Sequence, residues 1–336
     1  LGIDLIINPE RVTALEISKL VKNPSALNVE YYAQGRVQLM ELAVEENSFM
    51  AGKQIKSLNT THFVIVAITR KHKMIVPGGD EVITAGDHIY IMANTAEMPH
   101  VLQSLGIIHK KIEHITILGA GRTGTYLAHI LEEKRLPVSI KIIERDPKRA
   151  RDASIKLKRT LVINGDGSDL DLLENENVGQ SDLFVALTND DKLNLLSSLI
   201  AQNLGVNKTI AKINRSDIMP LMQQIGINVV LSPRILTAGA ILKYIRRGDI
   251  ISVTVLGEDR AEMIELVAQP GSIAIGKELR RIHFPRGSVV GAIVRNEKVI
   301  IPSGDDVIQS CDHLIMFSLA KSIHKMEKLF INGGNN

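Results

Sequence analysis

Short apolar runs alternate with segments of helical periodicity through the middle of the chain. The apolar runs predict strands at His114–Leu118, Val138–Ile143, Thr160–Ile163, Leu183–Ala186, Thr209–Lys212 and Asn228–Leu231. The helical patterns cover Arg122–Lys134, Pro147–Lys158, Asp191–Leu204, Ser216–Ile225 and Pro233–Arg247. This alternation predicts an α/β fold with a Rossmann-like, doubly wound parallel sheet.

Two stretches on either side of this region are rich in β-forming residues and repeat each other. Gly52-Lys53 recurs as Gly276-Lys277 at an offset of 224, and Gly79-Asp80 recurs as Gly304-Asp305 at an offset of 225. The predicted strands of the two stretches are Phe63–Ile68, Ile89–Met92, Val289–Val294 and His313–Phe317. We therefore predict two copies of one small α+β lobe, at residues 29–98 and 253–322.

The repeat also reaches the start of the chain, where the run ending at Pro9 matches the run ending at Pro233. The chain begins with Leu1, inside a strand-like run, and no large α/β unit precedes the first copy. We expect one and a half units of a two-repeat protein that lacks its first Rossmann lobe; the alternative is a three-domain protein with a short leading helix. The predicted division is residues 1–28 (remnant of a first Rossmann lobe and its crossover helix), 29–112 (first small lobe), 113–248 (Rossmann lobe) and 249–332 (second small lobe).

Composition excludes several functional classes. The 336 residues carry 40 basic and 37 acidic side chains, so the net charge of +3 is too balanced to indicate a nucleic-acid partner. Aromatic residues make up only 3%, which argues against base stacking as a main activity. The single cysteine, Cys311, cannot build a disulfide framework. A membrane span needs about 20 apolar residues, and no run here approaches that length.

The strongest candidate for chemistry is a glycine-rich loop between the first two predicted strands of the Rossmann region. It reads Gly119-Ala120-Gly121-Arg122-Thr123-Gly124, and the following strand ends in an acid, Glu144. In such a motif the first glycine permits a tight turn, the second allows close approach of a pyrophosphate, and the third lets helix and sheet pack. Glu144 would accept hydrogen bonds from ribose hydroxyls and repel a 2′-phosphate, which favours NAD over NADP. A purely structural glycine turn is the alternative.

Polar residues at the ends of later strands should line the same crevice, because ligands sit outside the carboxyl ends of parallel strands. Asp166 is predicted to contact the adenosine end, or else to form a turn or helix cap. Thr188-Asn189 could reach the phosphates or the nicotinamide-side ribose; alternatively, this segment caps the next helix through Asn189 or Asp190. Lys212 ends a strand as a cation that faces the ligand edge, or else it is a solvated surface lysine.

Two arginines extend this prediction to other nucleotides. Arg122 lies inside the loop and Arg145 directly follows Glu144, so both could grip phosphates and let ATP or ADP compete with NAD. Residues 145–159 hold seven Lys or Arg against two Asp. That run is typical of a solvated helix face, or of a surface that attracts a polyphosphate or an anionic partner.

Signals for catalysis are weak. A dehydrogenase needs a proton donor or acceptor beside the nicotinamide, and the repeated lobes share no obvious acid–base constellation. Asp87-His88 does recur as Asp312-His313, for which a turn or structural role is the simpler interpretation. The ten histidines show no zinc-binding spacing, so we predict neither catalytic nor metal-binding residues.

Taken together, these residues resemble one known family along the whole chain. The resemblance rests on Gly119–Gly124, Glu144, Asn164–Ser168, Thr188-Asn189, Lys212, the repeated Pro-x-Gly-Asp-x-Val-Ile pattern and the helices after Pro9 and Pro233. The chain is similar to the peripheral subunits of bacterial Trk potassium uptake systems, which carry tandem RCK modules (regulators of potassium conductance), each a Rossmann lobe plus a small lobe.

The resemblance implies a function that composition and spacing do not. It implies a non-enzymatic regulatory subunit that binds NAD(H), and ATP or ADP, in the Rossmann lobe. Such a subunit assembles as a homo-oligomeric ring at the cytoplasmic face of the bacterial inner membrane and gates a separate membrane-spanning potassium channel subunit. Carried over, Gly119, Ala120, Gly121, Arg122 and Thr123 would contact the pyrophosphate, Glu144 the ribose, and Thr188, Asn189 and Lys212 the remainder.

Two other hypotheses stay open at this stage. A soluble NAD-dependent dehydrogenase would require catalytic residues outside the Rossmann lobe and turnover of bound NADH. Alternatively, the small lobes could bind a separate anion or metabolite. The duplication disfavours the dehydrogenase, because two copies of a lobe do not form one unique active site.

Overall fold

A computed structural model describes residues 6–71, 73–107, 111–245, 250–256 and 261–330. The chain divides into two compact units, one made of Leu1–Pro24 and Lys110–Ile241 and the other of Ser25–His109 and Leu242–Asn336. The α-helices are α1 (Pro9–Lys22), α2 (Met98–Ser104), α3 (Arg122–Glu133), α4 (Pro147–Lys156), α5 (Leu170–Asn175), α6 (Asp191–Asn203), α7 (Met219–Gln224), α8 (Pro233–Ile245) and α9 (Ile323–Glu327). Single 3₁₀ turns lie at Ala33–Gly35, Ile55–Ser57, Val178–Gln180, Ser216–Ile218, Leu279–Arg281 and Ala320–Ser322.

The strands fall into three sheets. They are β1 (Asn28–Tyr32), β2 (Val37–Ala43), β3 (Phe63–Arg70), β4 (Lys73–Ile75), β5 (His88–Asn94), β6 (His114–Leu118), β7 (Ser139–Glu144), β8 (Thr160–Asn164), β9 (Leu183–Ala186), β10 (Lys208–Lys212), β11 (Val229–Leu231), β12 (Ile250–Leu256), β13 (Ala261–Val267), β14 (Ser288–Arg295), β15 (Lys298–Ile300) and β16 (His313–Ser318).

The first unit is built on a six-stranded parallel sheet in the order β8-β7-β6-β9-β10-β11. The chain runs outward from β6 to β8 and then returns to β9 on the other side, so the strand order reverses between β6 and β9. This is the doubly wound Rossmann arrangement, and the predicted fold class is confirmed. The central strand β9 is apolar and buried along its whole length, and Ile117 of its neighbour β6 is also fully buried, as expected for the middle of a parallel sheet.

Local signals explain most helix boundaries in this unit. The Asp146 carboxylate caps α4 by accepting the Arg149 amide at 2.9 Å, with Pro147 in the first turn, and Asp190 caps α6 in the same way. The helix predicted over 216–225 is instead a 3₁₀ turn followed by α7. Pro220 explains the break, because proline has no amide to donate and is tolerated only in the first turn of a helix.

Helix α1 packs on α3 and therefore belongs to the Rossmann unit. Two long-range hydrogen bonds strengthen the association: Lys134 Nζ donates to Ser18 Oγ at 3.0 Å, and Lys208 Nζ donates to the Pro24 carbonyl at 2.7 Å. The predicted origin of residues 1–28 as the remnant of another lobe stays a prediction. Residues 1–5 of the strand-like run before Pro9, and Arg246 and Arg247 at the end of the helix predicted after Pro233, lie outside the described residues.

The second unit contains two five-stranded antiparallel sheets of the same topology, β1-β2-β5-β3-β4 and β12-β13-β16-β14-β15. The likeness extends to side chains. Asp87 accepts two hydrogen bonds from Arg70 and one from the Thr84 amide, and Asp312 accepts the matching set from Arg295 and Gln309. The duplicated small α+β lobe is confirmed, and the repeated aspartates have the structural role that the sequence favoured.

In the part of the chain that the structure describes, no helix is both long enough and apolar enough to cross a membrane.

Candidate functional site

The glycine-rich loop lies where the strand order reverses, at the carboxyl ends of β6 and β9. The Gly119 amide donates to the Ile143 carbonyl at 2.8 Å, and its φ of +103° is one that glycine adopts readily and other residues do not. A β-carbon at Gly119 would also lie 3.3 Å from the Thr188 amide nitrogen. The turn therefore holds the ends of the two central strands close together, beside a crevice that favours ligand binding in this fold.

The other two motif glycines have different surroundings. Gly121 is the N-cap of α3, and nothing lies within 4 Å of the place where its β-carbon would be. That open space lies over the amino end of a 12-residue helix, whose first amides and dipole favour an anion. At Gly124, by contrast, a β-carbon would overlap the carbonyl oxygen of Gly119. Gly121 thus leaves room for a ligand, whereas Gly124 lets the helix pack against the turn.

Glu144 is held rigidly at the end of β7. Its side chain is almost fully buried, and its two oxygens accept hydrogen bonds from the Ala120 amide at 2.8 Å, the Asp146 amide at 2.8 Å and Arg149 Nη2 at 3.0 Å. A carboxylate offers about four acceptor positions, so about one is left for a ribose hydroxyl. The carboxylate also ties the glycine loop to β7.

The other predicted residues on this side of the crevice are exposed. Arg145 and Asp166 form an ion pair across 3.8 Å. Asp166 also accepts hydrogen bonds from the amide and hydroxyl of Ser168, and the amide bond in particular lowers the pKa of its carboxyl. This is the turn that the sequence offered as an alternative to an adenosine contact. All seven basic side chains of 145–159 are exposed, as a solvated helix face requires.

A connected polar network lies at the carboxyl ends of β9 and β10. Lys212 is only 6% exposed, so its interpretation as a solvated surface lysine was wrong. Its Nζ donates to Asn189 Oδ1 at 2.9 Å, and burial lowers the pKa of its ammonium group. Thr188 donates its hydroxyl to Asn194 Oδ1 at 2.6 Å. The helix cap for which the sequence offered Asn189 or Asp190 is supplied by Asp190.

Sequence reasoning missed three residues of this site. Arg149 pairs with Glu144; its only sequence signal is its place in the basic run 145–159. Asn194 is fully buried and also donates to the Lys212 carbonyl at 2.8 Å; its signal was a lone amide on the inner face of α6. Glu10 of α1 approaches Arg122 to 3.5 Å and favours the charged form of Lys212. Glu10 is 112 residues from Arg122, so no local pattern could have found it.

The predicted residues lie at the carboxyl ends of neighbouring strands of the parallel sheet. The ends of β6, β7 and β8 carry Gly119–Gly124, Glu144, Arg145 and Asp166, and the ends of β9 and β10 carry Thr188, Asn189 and Lys212. Both carboxylates already accept several hydrogen bonds from the protein, which suits binding better than proton transfer. Among the described residues, no group of three His, Cys, Asp or Glu side chains could hold a metal ion.

Comparison with known families agrees with this architecture. Residues 115–233 match the TrkA-N domain, and residues 39–106 and 263–331 each match the TrkA-C domain. A Trk system potassium uptake protein TrkA homolog of Methanosarcina mazei is 35% identical over 333 residues, which covers 98% of this chain and 73% of that protein. The chain belongs to the TrkA family of Trk system potassium uptake proteins.

Other relatives and structures extend this likeness. The Trk system potassium uptake protein TrkA of Halomonas elongata is 34% identical over 336 residues, covering 98% of this chain and 73% of its own length. The crystal structure of the GsuK RCK domain matches 98% of this chain and 71% of that chain, with a TM-score of 0.53 and 17% identity. The GsuK channel bound to NAD matches 98% of this chain and 59% of that chain, with a TM-score of 0.51. These structural likenesses show that the chain shares the RCK fold.

Proposed function

We propose that this chain is a nucleotide-sensing regulatory subunit of a potassium uptake system and that it gates a separate membrane-spanning subunit of the Trk type. One observation carries the proposal. Where the strand order reverses, the open amino end of α3 at Gly121, the buried carboxylate of Glu144 and the buried Lys212 all lie at the carboxyl ends of the strands. Membership of the TrkA family supports potassium uptake as the process that is regulated.

The ligand of this crevice is NAD(H), with ATP or ADP as competitors. The loop Gly119–Thr123 would hold the pyrophosphate at the α3 amino end, and the remaining acceptor position of Glu144 would take a ribose hydroxyl. Lys212 and Asn189 would face the phosphates or the second ribose, and Asp166 the adenosine end. Arg122 is 81% exposed and Arg145 75% exposed, so both side chains can reach additional phosphates if they exchange their ion pairs with Glu10 and Asp166 for the ligand.

Sensing requires that the nucleotide bind two conformations of the protein with different affinity. We place the hinge around Pro233–Arg247, between the Rossmann lobe and the second small lobe in the sequence; the structure describes this range as far as Ile245, the end of α8. The chain would work as a homo-oligomeric ring bound peripherally at the cytoplasmic face of the inner membrane. It would be a regulator and not an enzyme, with the transport step carried out by the other subunit.

The binding step is tested by calorimetric titration of the purified chain with NADH, NAD, ATP and ADP. Gly121→Asp places a negative side chain in the open space beside the helix amino end, and we expect it to abolish binding of all four nucleotides. Gly78→Asp is the matched control, because Gly78 also has nothing within 4 Å of its β-carbon position but lies in a turn of the first small lobe. Retained binding by Gly121→Asp would show that the site is assigned to the wrong place.

The regulatory step is tested with the membrane subunit reconstituted in vesicles. We expect addition of the chain and NADH or ATP to change potassium flux, and the Gly121→Asp variant to leave the flux insensitive to nucleotide. Consumption of NADH, followed by its absorbance, is the readout for the dehydrogenase alternative. Steady oxidation of NADH with a small substrate, together with an unchanged potassium flux, would favour the enzyme.

A further inference from the structure

The two small lobes bury a shared core between their sheets, and the two copies supply it from equivalent positions. The first lobe contributes Tyr32, Ala33, Val37, Leu39, Val66, Ala67, Met74, Tyr90 and Met92. The second contributes Leu256, Ala261, Met263, Ala292, Val294, Ile315 and Phe317. Most of these residues form repeat pairs, such as Val37 with Ala261 and Met92 with Phe317. Each lobe therefore uses the same sheet face to meet the other.

In this interface, one residue of the first lobe contacts the residue that is its repeat equivalent in the second lobe. Val66 and Gly291 are equivalent, since they stand at the same place in FVIVAITR and SVVGAIVR. Both occupy a β-bulge, which interrupts the register between Ile65 and Ala67 in β3 and between Val290 and Ala292 in β14. Because these two equivalent positions contact each other, two identical lobes paired through the same face would bring two identical residues together here.

The two residues differ in size, and the difference fits the contact. A β-carbon added to Gly291 would lie 3.0 Å from Val66 Cγ1 and 2.6 Å from Met92 Sδ, both in the other lobe. Real β-carbons essentially never approach closer than 3.0 Å. Val66 is fully buried, so its side chain fills the space that Gly291 leaves empty.

Neighbouring contacts repeat this asymmetry. The second lobe has the larger Phe317 where the first has Met92, and both are fully buried in the shared core. Within the buried interface, Glu265 Oε1 accepts the Ala33 amide at 2.8 Å, and at the exposed edge Arg36 forms an ion pair of 2.7 Å with Glu297. Each of these contacts joins a residue of one lobe to a residue of the other.

We propose that the Val66–Gly291 contact makes this sheet face selective for a pair with one lobe of each kind. Two first lobes would bring Val66 against Val66 and crowd the bulge. Two second lobes would bring Gly291 against Gly291 and leave a cavity. Both are unfavourable in an interior packed as densely as a crystal. This face consequently holds a first lobe against a second lobe, and identical small lobes of different chains must associate through other surfaces.

The backbone permits a direct exchange experiment. Gly291 has no positive φ, so a side chain there is limited by its neighbours and not by local strain. We expect Gly291→Val and Val66→Gly each to lower the thermal midpoint of the full chain. The exchange Val66→Gly with Gly291→Val should recover at least half of the combined loss, because the flexible Met92 thioether can move aside. If the two single changes in thermal midpoint simply add in the double variant, the proposal is wrong.

A second pair of smaller substitutions keeps the test decisive if the Gly291→Val variant does not fold. Gly291→Ala introduces the β-carbon alone, and Val66→Ala removes the Cγ1 atom that this carbon would approach. Their effects should again be non-additive. Ile65→Ala with Val290→Ala is the matched control: these neighbouring positions are also repeat equivalents, but Val290 packs in the second lobe's own core. We expect additive effects there.

Cross-linking reports the pairing itself. In a Cys311→Ser background, which removes the exposed native thiol, Arg36→Cys and Glu297→Cys can be bridged by a short bis-maleimide. We expect efficient bridging in the parent, a yield at least halved by Gly291→Val, and recovery in the exchange variant. An unchanged yield in Gly291→Val would contradict the selectivity.

Discussion

The glycine loop makes a prediction that separates folding from ligand binding. Gly124→Ala should destabilise the Rossmann unit, because the added methyl would overlap the Gly119 carbonyl oxygen, which belongs to a tight turn and cannot rotate away. Gly121→Ala should have little effect on stability, because nothing lies within 4 Å of its β-carbon position and its φ of −66° suits alanine. The same Gly121→Ala change should nevertheless weaken nucleotide binding.

The magnitudes follow from packing and helix propensity. Overpacking lowers the free energy of unfolding by about 1–3 kcal/mol, towards the upper end when the added atom overlaps backbone. Alanine inside a helix is more favourable than glycine by at most about 1 kcal/mol. The net cost of Gly124→Ala is therefore about 2 kcal/mol, or roughly 4–8 °C in a unit of this size. Gly121→Ala loses only part of a helix cap, under about 1 kcal/mol.

Differential scanning calorimetry without ligand measures the first effect, and titration with NADH well below the transition measures the second. We expect Gly121→Ala to lose about tenfold or more in affinity, since its methyl would occupy the space assigned to a phosphate. A larger fall in midpoint for Gly121→Ala than for Gly124→Ala would refute the packing argument. Unaltered NADH affinity in Gly121→Ala would refute the placement of the phosphate.

Three further predictions concern charged residues. Glu10→Gln should tighten ATP binding a few-fold by releasing Arg122, and the gain should shrink as salt rises; a gain independent of salt would exclude this electrostatic cause. Lys212→Met should weaken NADH binding about tenfold while the unfolding midpoint holds or rises, whereas unchanged affinity would remove Lys212 from the site. The hydrogen bond to Glu41 raises the pKa of His88, so this pair stabilises the fold fully below about pH 6.5 and less as the pH rises through the raised pKa. The midpoint difference between the parent and Glu41→Gln should accordingly be larger at pH 6 than at pH 9, and an equal difference would contradict it.

Sequence patterns predicted the elements well wherever the physical signal is local. The strands His114–Leu118 and Leu183–Ala186 begin and end where expected, because each is a short run rich in apolar residues with high β propensity. The interrupted helix at 216–225 shows the limit of periodicity, since Pro220 decided the hydrogen bonding there.

The candidate site was predictable to the extent that it is built from strand ends. Glycines after one strand and an acid at the end of the next follow from the known geometry of parallel sheets, so Gly119, Gly121 and Glu144 could be proposed from spacing alone. The pairing of Glu144 with Arg149 and the burial of Lys212 depend on how side chains pack in the folded domain. Sequence alone therefore left Lys212 with two possible roles.

The sequence by itself determined the fold class, the duplication of the small lobes and the position of the glycine loop. Periodicity and turn chemistry act between residues close in the chain, and a repeat is visible by comparing the sequence with itself. Only the tertiary structure decided that Glu10 approaches Arg122, and that Val66 of one lobe meets Gly291 of the other. Those contacts join residues more than one hundred positions apart. Their energies come from packing and charge in three dimensions, which a linear pattern does not encode.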